Sequence, residues 1–221
     1  MLGLLGGTFD PVHCGHLRTA LDVVEALDLA ELRLVPLRHA VHRAQPQAPA
    51  ALRLAMLRAA VADEPRLVVD ERELCRDTPS YTVHTLESLR TERGPGEPLC
   101  LLVGSDAYAE FLTWHRPDDI VALAHLVVMQ RPGAGTPDDP ALAAFTAPRV
   151  TEDRRALGTA PAGRILFLPV TQLGIAATDL RARLRAGRSV RWLVPDAVLA
   201  LLERERPYGP PDARPAQADA L

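Results

Sequence analysis

Residues 2–17 read Leu-Gly-Leu-Leu-Gly-Gly-Thr-Phe-Asp-Pro-Val-His-Cys-Gly-His-Leu, an apolar run followed by two glycines and then by a helical pattern. The run at 2–5 predicts a buried strand, and apolar residues recur at the spacing of one helix face over 15–28. Because no basic segment accompanies the apolar run, we expect a strand here and not a signal peptide. The glycine turn brings backbone N–H groups together beside a helix N-terminus, an arrangement that suits a phosphate group.

The alternation of strands and helices continues along most of the chain. Apolar runs predict strands at 32–37, 67–69, 99–103, 126–129 and 165–168. Helical spacing predicts helices over 50–62, 82–93, 104–111, 178–186 and 195–206. We therefore expect an α/β fold, a doubly wound Rossmann-like parallel sheet with helices on both faces. Such sheets bind ligands beyond the carboxyl ends of their strands, where Gly6, Gly7 and Gly104 lie.

Two segments depart from this alternation. Residues 132–163 are rich in Pro, Gly, Ala and Asp and predict a long loop or a mobile lid. Residues 209–221 contain three prolines and little that could be buried, so we expect a disordered tail. A single domain over 1–208 is therefore predicted.

The composition excludes several classes of protein. The chain has 221 residues, a net charge of −3, 48% hydrophobic residues and no apolar run long enough to cross a membrane. Without a basic excess we expect neither a nucleic-acid partner nor a membrane partner. All 25 basic residues are arginine, so no mechanism that needs a lysine amine is available. The three cysteines are odd in number and widely spaced, which predicts a reducing, cytoplasmic location without disulfides.

Two histidines stand at the predicted start of the first helix. His13 and His16 are three residues apart, so both side chains could point into the anion site and supply the donors that lysine supplies elsewhere. An isolated histidine is more often a surface or satisfied core residue, and two neighbouring histidines could also bind a metal.

The whole segment 6–17 resembles the phosphate-binding segment of the nucleotidyltransferase superfamily that is named after its (His/Thr)-x-Gly-His motif, here His-Cys-Gly-His at 13–16. Within that superfamily it resembles the bacterial nicotinate-nucleotide adenylyltransferases. Further matches follow in the family's order at His42-Arg43, Arg53, Met56-Leu57, 70–74, 80–86, 104–106, Trp114, 131–133 and 175–181. The chain departs from the family pattern at Val41, where a proline is usual, and at Ala176, where a serine is usual.

This resemblance implies one nucleotidyltransferase domain and a reaction of NAD biosynthesis. Nicotinate mononucleotide attacks the α-phosphorus of ATP, with Mg²⁺ accompanying the nucleotide, and deamido-NAD and pyrophosphate are formed. A phosphate monoester with a second pKa near 6 is mostly a dianion at neutral pH, so no general base is needed. The protein must align two anionic substrates and stabilise the negative charge that develops on pyrophosphate.

The resemblance also implies roles for individual residues. The expected catalytic residues are His13, His16 and Arg181. The expected ATP-binding residues are Gly7, Thr8, Phe9, His13, His16, Gly104, Asp106, Arg131, Thr178 and Arg181. The expected mononucleotide-binding residues are His42, Arg43, Tyr81, Thr82 and Trp114, and no protein ligands to a metal are expected.

Several alternatives stay open at this point. Another adenylyl- or cytidylyltransferase of the superfamily would share the histidine motif, although the element at 80–86 and Trp114 favour nicotinate. A metal-dependent hydrolase would use His13, His16 and His42, and a non-catalytic nucleotide-binding protein would share the fold. A serine hydrolase at Ser105 is set aside because Gly-x-Ser-x-Gly is absent. The sequence is compatible with a homo-oligomer.

Overall fold

The structure is a computed structural model, and it describes residues 1–40, 44–130 and 139–209. It contains the strands β1 (Leu2–Gly7), β2 (Glu31–Pro36), β3 (Leu67–Val69), β4 (Leu99–Gly104), β5 (His125–Gln130) and β6 (Ile165–Pro169). They form one sheet with the order β3-β2-β1-β4-β5-β6, and every neighbouring pair is parallel. The predicted α/β fold with a parallel, doubly wound sheet is confirmed.

Helices connect the strands. They are α1 (Cys14–Leu27), α2 (Ala50–Val61), α3 (Thr82–Arg93), α4 (Ser105–Ala109), α5 (Pro117–Leu123), α6 (Pro140–Thr146), α7 (Ala177–Arg185) and α8 (Asp196–Glu205). Short 3₁₀ helices occupy Phe111–Thr113 and Arg154–Gly158. Within the described ranges, no helix combines the length and the apolar character needed to cross a membrane.

The sheet is covered on both faces by apolar side chains. One cluster holds residues of α1, α2, α7 and α8, and a second holds residues of α3, α4, α5 and α6. Adjacent strand residues alternate between them: Leu4 belongs to the second cluster and Leu5 to the first. A parallel sheet buried in this way needs apolar residues at nearly every strand position, which explains the continuous apolar runs of the sequence.

The strand order reverses between β1 and β4. These two strands pair from Leu2 opposite Leu99 to Leu4 opposite Leu101, and both then continue to terminal glycines, Gly7 and Gly104. The connections leave on opposite sides of the sheet, so a crevice opens at the carboxyl ends of this pair, as in other doubly wound sheets.

The prediction of a long loop or lid over 132–163 is wrong for the part that the structure describes. Residues 139–163 contain α6 and a 3₁₀ helix, and the side chain of Asp139 caps α6 by accepting a hydrogen bond from the Leu142 N–H. Leu142 and Leu157 are buried in the core. The remaining residues of this segment, 132–138, and the predicted tail from 210 onward lie outside the described residues.

Candidate active site

A cavity of about 890 Å³ lies at the carboxyl ends of β1 and β4, a volume in the usual range for small-molecule sites. It contains eight of the residues that the sequence predicted for the site: Gly7, Thr8, His16, Tyr81, Thr82, Gly104, Asp106 and Trp114. Its remaining lining includes Glu73, Ser80, His115 and Gln172. The eight predicted residues come from three separate stretches of sequence, which meet at the crevice.

The two motif histidines lie side by side at the start of α1. Their rings are stacked, with 3.7 Å between the centroids and 24° between the planes, and Phe9 packs edge-on against His16 at 5.2 Å. A Cβ atom at Gly15 would lie 3.0 Å from the His13 Nδ1 atom, so the motif glycine leaves room for the stack. His16 lines the cavity, whereas the ring of Phe9 is buried behind it.

Both histidines are neutral at physiological pH. Burial lowers the pKa of His13 from 6.5 to about 4. Burial, together with the neighbouring His13, lowers the pKa of His16 from 6.5 to about 3. The Nδ1 atoms of both rings are buried and have no hydrogen-bond partner within the described residues. A neutral imidazole still has one N–H group to donate, so the pair can hydrogen-bond phosphate oxygens without carrying a charge into the core.

Arg181 links α7 to the loop between β1 and α1. Its Nη1 atom donates to the backbone carbonyl of Asp10 over 2.7 Å, and its Nη2 atom donates to the Thr178 hydroxyl over 3.2 Å. The Nε atom is buried and has no partner in the described part of the chain. Arg181 and Thr178 thus lie against the histidine loop, outside the lining of the cavity.

Asp10 is a buried site residue for which the sequence assigned no role. Its carboxylate accepts hydrogen bonds from the backbone N–H groups of Gln47, at 2.7 Å, and Ala48, at 3.0 Å. It also accepts the hydroxyl of Tyr208 over 2.7 Å. These bonds join segments that are far apart in sequence and fix the loop that carries the histidines.

Arg53 fixes the same loop from α2. Its side chain is buried, and its guanidinium donates to the backbone carbonyls of Thr8 and Leu37, both at 2.8 Å, and Ala48, at 3.3 Å. An arginine with several carbonyl acceptors satisfies its buried N–H groups. A charged residue within the apolar pattern of α2 is the sequence feature that indicates this role. The family resemblance matched Arg53 in the helix but assigned it no role.

The carboxyl end of β4 contributes an open wall. A Cβ atom at Gly104 would meet nothing within 4 Å, so this residue faces free space in the cavity. Asp106 is exposed in the first turn of α4, and α4 has no side-chain capping bond at its N-terminus. The N-cap residue of α4 is Gly104, and Asp106 borders the cavity from the first helical turn.

The start of α3 forms the opposite wall. The Tyr81 N–H already donates to the Pro79 carbonyl over 2.8 Å. Of the two expected donors, the Thr82 N–H in the first helical turn is therefore the one without a backbone acceptor among the described residues. The Tyr81 ring lies 4.4 Å from the ring of His115, and half-buried Trp114 packs on Phe111 at 5.4 Å. These aromatic faces border the cavity.

Three predicted residues, His42, Arg43 and Arg131, lie outside the described residues. In the described ranges no group of three or more His, Cys, Asp or Glu side chains is arranged to hold a metal ion. The parallel stacking of His13 on His16 also differs from the convergent arrangement that two metal ligands need.

Comparison with other sequences places the chain among known proteins. The cytidylyltransferase-like family matches residues 4–183. A protein from Pseudomonas syringae pv. tomato named a nicotinate-nucleotide adenylyltransferase is 49% identical over 211 residues, which cover 96% of this chain and 95% of that protein. A protein of the same name from Methylococcus capsulatus is 49% identical over 209 residues, covering 94% and 99%.

Solved structures share the fold at much lower identity. The Plasmodium falciparum nicotinic acid mononucleotide adenylyltransferase complexed with NaAD has a TM-score of 0.71 and 14% identity, covering 94% of this chain and 96% of that one. A nicotinate-nucleotide adenylyltransferase structure from Vibrio parahaemolyticus has a TM-score of 0.61 and 15% identity, covering 94% of both chains.

Proposed function

The chain belongs to the nicotinate-nucleotide adenylyltransferases of the cytidylyltransferase-like family, and from this we propose that it transfers the adenylyl group of ATP to nicotinate mononucleotide. The products are deamido-NAD and pyrophosphate, and the enzyme is a nucleotidyltransferase of NAD biosynthesis. The observation that carries the mechanism is the neutral, stacked pair His13 and His16 beside the cavity at the strand-order reversal.

The reaction needs alignment more than proton transfer. An oxygen of the mononucleotide 5′-phosphate forms a new bond to the α-phosphorus of ATP, and the bond from that phosphorus to the bridging oxygen of the β-phosphate breaks. The attacking phosphate is mostly a dianion at neutral pH, so no side chain has to remove a proton. The cavity supplies two walls, one at α3 and one at β4, that hold the two substrates in line.

His13 and His16 act as hydrogen-bond donors to the ATP phosphates. Because both rings are neutral, ATP can bind without prior protonation of a buried imidazole. The hydrogen bonds from their N–H groups to the phosphate become stronger in the transition state, where negative charge develops. His16 lines the cavity and is the residue closer to the reacting phosphate. Arg181 and Thr178 support the β- and γ-phosphates from α7, next to the same loop.

The remaining contacts divide between the substrates. Gly7, Thr8, Gly104 and Asp106 bind the ATP nucleoside and its phosphates, with Phe9 supporting His16 from behind. Trp114 and Tyr81 stack on the pyridine ring, and the Thr82 N–H donates to its carboxylate. By resemblance, Arg131 binds ATP, and His42 and Arg43 bind the mononucleotide.

Mg²⁺ enters with ATP in this proposal. The described residues contain no acidic cluster of their own for a metal, which fits an ion held by phosphate oxygens and water. When bound, it neutralises part of the charge on the pyrophosphate leaving group. We further propose that residues 1–208 act as one domain, that the enzyme works in the cytoplasm and that it binds no nucleic acid, in keeping with the net charge of −3.

A product assay tests this function. Purified protein is mixed with ATP, Mg²⁺ and either nicotinate mononucleotide, its amide or phosphopantetheine, and the products are separated by chromatography. We expect deamido-NAD and an equal amount of pyrophosphate with the nicotinate substrate. A larger product yield from phosphopantetheine would identify a different transferase of the superfamily. ATP binding without any product would support a non-catalytic nucleotide-binding protein.

A further inference from the structure

The chain end returns to the site through Tyr208. Helix α8 ends at Glu205, and the following turn places the Tyr208 ring in the core, where it is 2% exposed. Its hydroxyl donates to the Asp10 carboxylate over 2.7 Å, across 198 positions of sequence. Burial raises the pKa of this phenol, and the bond to Asp10 raises it further, so Tyr208 stays a donor throughout the working pH range.

The Asp10 carboxylate lies next to Arg181 but takes its hydrogen bonds from other donors. Two backbone N–H groups, of Gln47 and Ala48, donate to it together with Tyr208. Its nearer oxygen lies 3.8 Å from the Arg181 Nη1 atom, beyond hydrogen-bond distance, while that Nη1 atom donates to the Asp10 backbone carbonyl at 2.7 Å. The carboxylate and the guanidinium are therefore neighbours that are not in a direct hydrogen bond.

This spacing matters for the charge available to ATP. An arginine in a close bidentate pair with a carboxylate has fewer free N–H groups and less net positive charge to offer a phosphate. Within the described ranges each Nη atom of Arg181 makes one hydrogen bond and carries two N–H groups, so part of its donor capacity is still uncommitted. Removing one donor from Asp10 would leave its carboxylate under-bonded and free to turn toward this guanidinium.

Resting on the proposed function, we infer that Tyr208 is a positioning residue for ATP. Its hydroxyl holds the Asp10 carboxylate in place and thereby keeps Arg181 available to the nucleotide phosphates. Tyr208 touches neither substrate and acts only through Asp10 and Arg181, so a change at Tyr208 should affect ATP and not the mononucleotide.

The variant Tyr208→Phe removes the hydroxyl and keeps the ring. We expect the KM for ATP to rise about fivefold to tenfold, the size of effect expected from one hydrogen bond, with the KM for nicotinate mononucleotide changed less than about twofold. Tyr108→Phe is the matched control, because Tyr108 is also buried, at 1% exposure, and its hydroxyl makes one 2.6 Å bond, to Thr146. It should lose similar stability and keep both KM values.

A double-mutant cycle tests the route through Arg181. In an Arg181→Met background, Tyr208→Phe should leave the KM for ATP unchanged, because the group on which the hydroxyl acts is gone. An equal rise in the KM for ATP in the wild-type and Arg181→Met backgrounds would overturn the inference. A Tyr208→Phe enzyme that is less stable but has unchanged KM values would also overturn it, as would one that loses affinity for both substrates equally.

Two further readouts keep the outcomes distinct. If Tyr208→Phe is too unstable for turnover assays, equilibrium ATP binding in the cold replaces them, and an unchanged Kd overturns the inference. Wild-type protein that makes no deamido-NAD contradicts the proposed function, whereas active wild type with an unaffected Tyr208→Phe variant contradicts only the role of Tyr208. Direct ATP binding decides that role in either case.

Discussion

Acid should destabilise this protein through its buried histidine pair. In the folded protein, burial lowers the pKa of His13 from 6.5 to about 4 and, with His13 as its neighbour, that of His16 to about 3. Both pKa values return to the ordinary range on unfolding. As pH falls from about 6.5 to about 4, the two histidines therefore bind protons in the unfolded chain but stay neutral in the folded protein. The free energy of unfolding falls as a result. The histidine contribution is fully present above about pH 6.5.

The expected size follows from His13, which is 5% exposed. Lowering the pKa of one group from 6.5 to about 4 corresponds to about 3 kcal/mol of stability that acid removes. His16 acts in the same direction, but the two rings are coupled and their contributions do not simply add. A loss of this size is a large part of the total stability of a typical domain, about 5–15 kcal/mol.

Denaturant unfolding at a series of pH values provides the assay. Wild type, His13→Gln and the control His39→Gln, which removes an exposed imidazole, are compared from neutral pH to about pH 4.5. We expect the wild-type free energy of unfolding to fall about 2 kcal/mol further than that of His13→Gln over this range, because pH 4.5 is still above the folded pKa of His13, and the control to follow wild type. His125 is also buried with a lowered pKa, but it is present in all three proteins. Parallel curves for wild type and His13→Gln would refute the reasoning.

Three other substitutions give sharp expectations. His16→Ala should lower kcat about a hundredfold or more, because a donor to transition-state charge is worth about 3 kcal/mol; near-normal kcat in a folded variant would remove His16 from the mechanism. Ala176→Ser should raise the free energy of unfolding by about 1 kcal/mol, since Ala176 is the N-cap of α7 and makes no capping bond. It should also lower the KM for ATP a few-fold, and a rise in that KM would contradict the contact. Trp114→Ala should weaken the binding of nicotinate mononucleotide and of its amide to the same extent, because stacking on the ring does not distinguish the two; weaker binding of only one of them would disprove stacking.

The sheet could be predicted because each strand carries its own signal. A strand buried on both faces is apolar at nearly every position, and glycines end β1 and β4 where the chain turns into the site. The helices α5 and α6 were missed because each has only seven residues and begins with proline, a composition that also suits a loop. Their apolar residues are too few to define a helical period, and only packing against the core makes them helical.

The site likewise has features that local sequence predicts and features that it does not. Gly7, Thr8 and His16 were predictable because they are close together in sequence, in one strand–turn–helix unit. The bond from Tyr208 to Asp10 was not, because no local pattern relates residues 198 positions apart. The neutral state of the histidines also depends on burial by distant segments, which the motif does not encode.

The preference for the acid substrate over its amide tests the central claim most directly. In the proposed complex the Thr82 N–H donates to the pyridine carboxylate, whereas the neutral carboxamide oxygen is a weaker acceptor for the same bond because it carries no charge. The measurement is kcat/KM for adenylyl transfer to nicotinate mononucleotide and to nicotinamide mononucleotide, with wild-type protein under identical conditions. We predict a preference for the acid of about tenfold or more, the size expected when one hydrogen bond loses its charged acceptor. Equal values for the two substrates would contradict a nicotinate-specific enzyme.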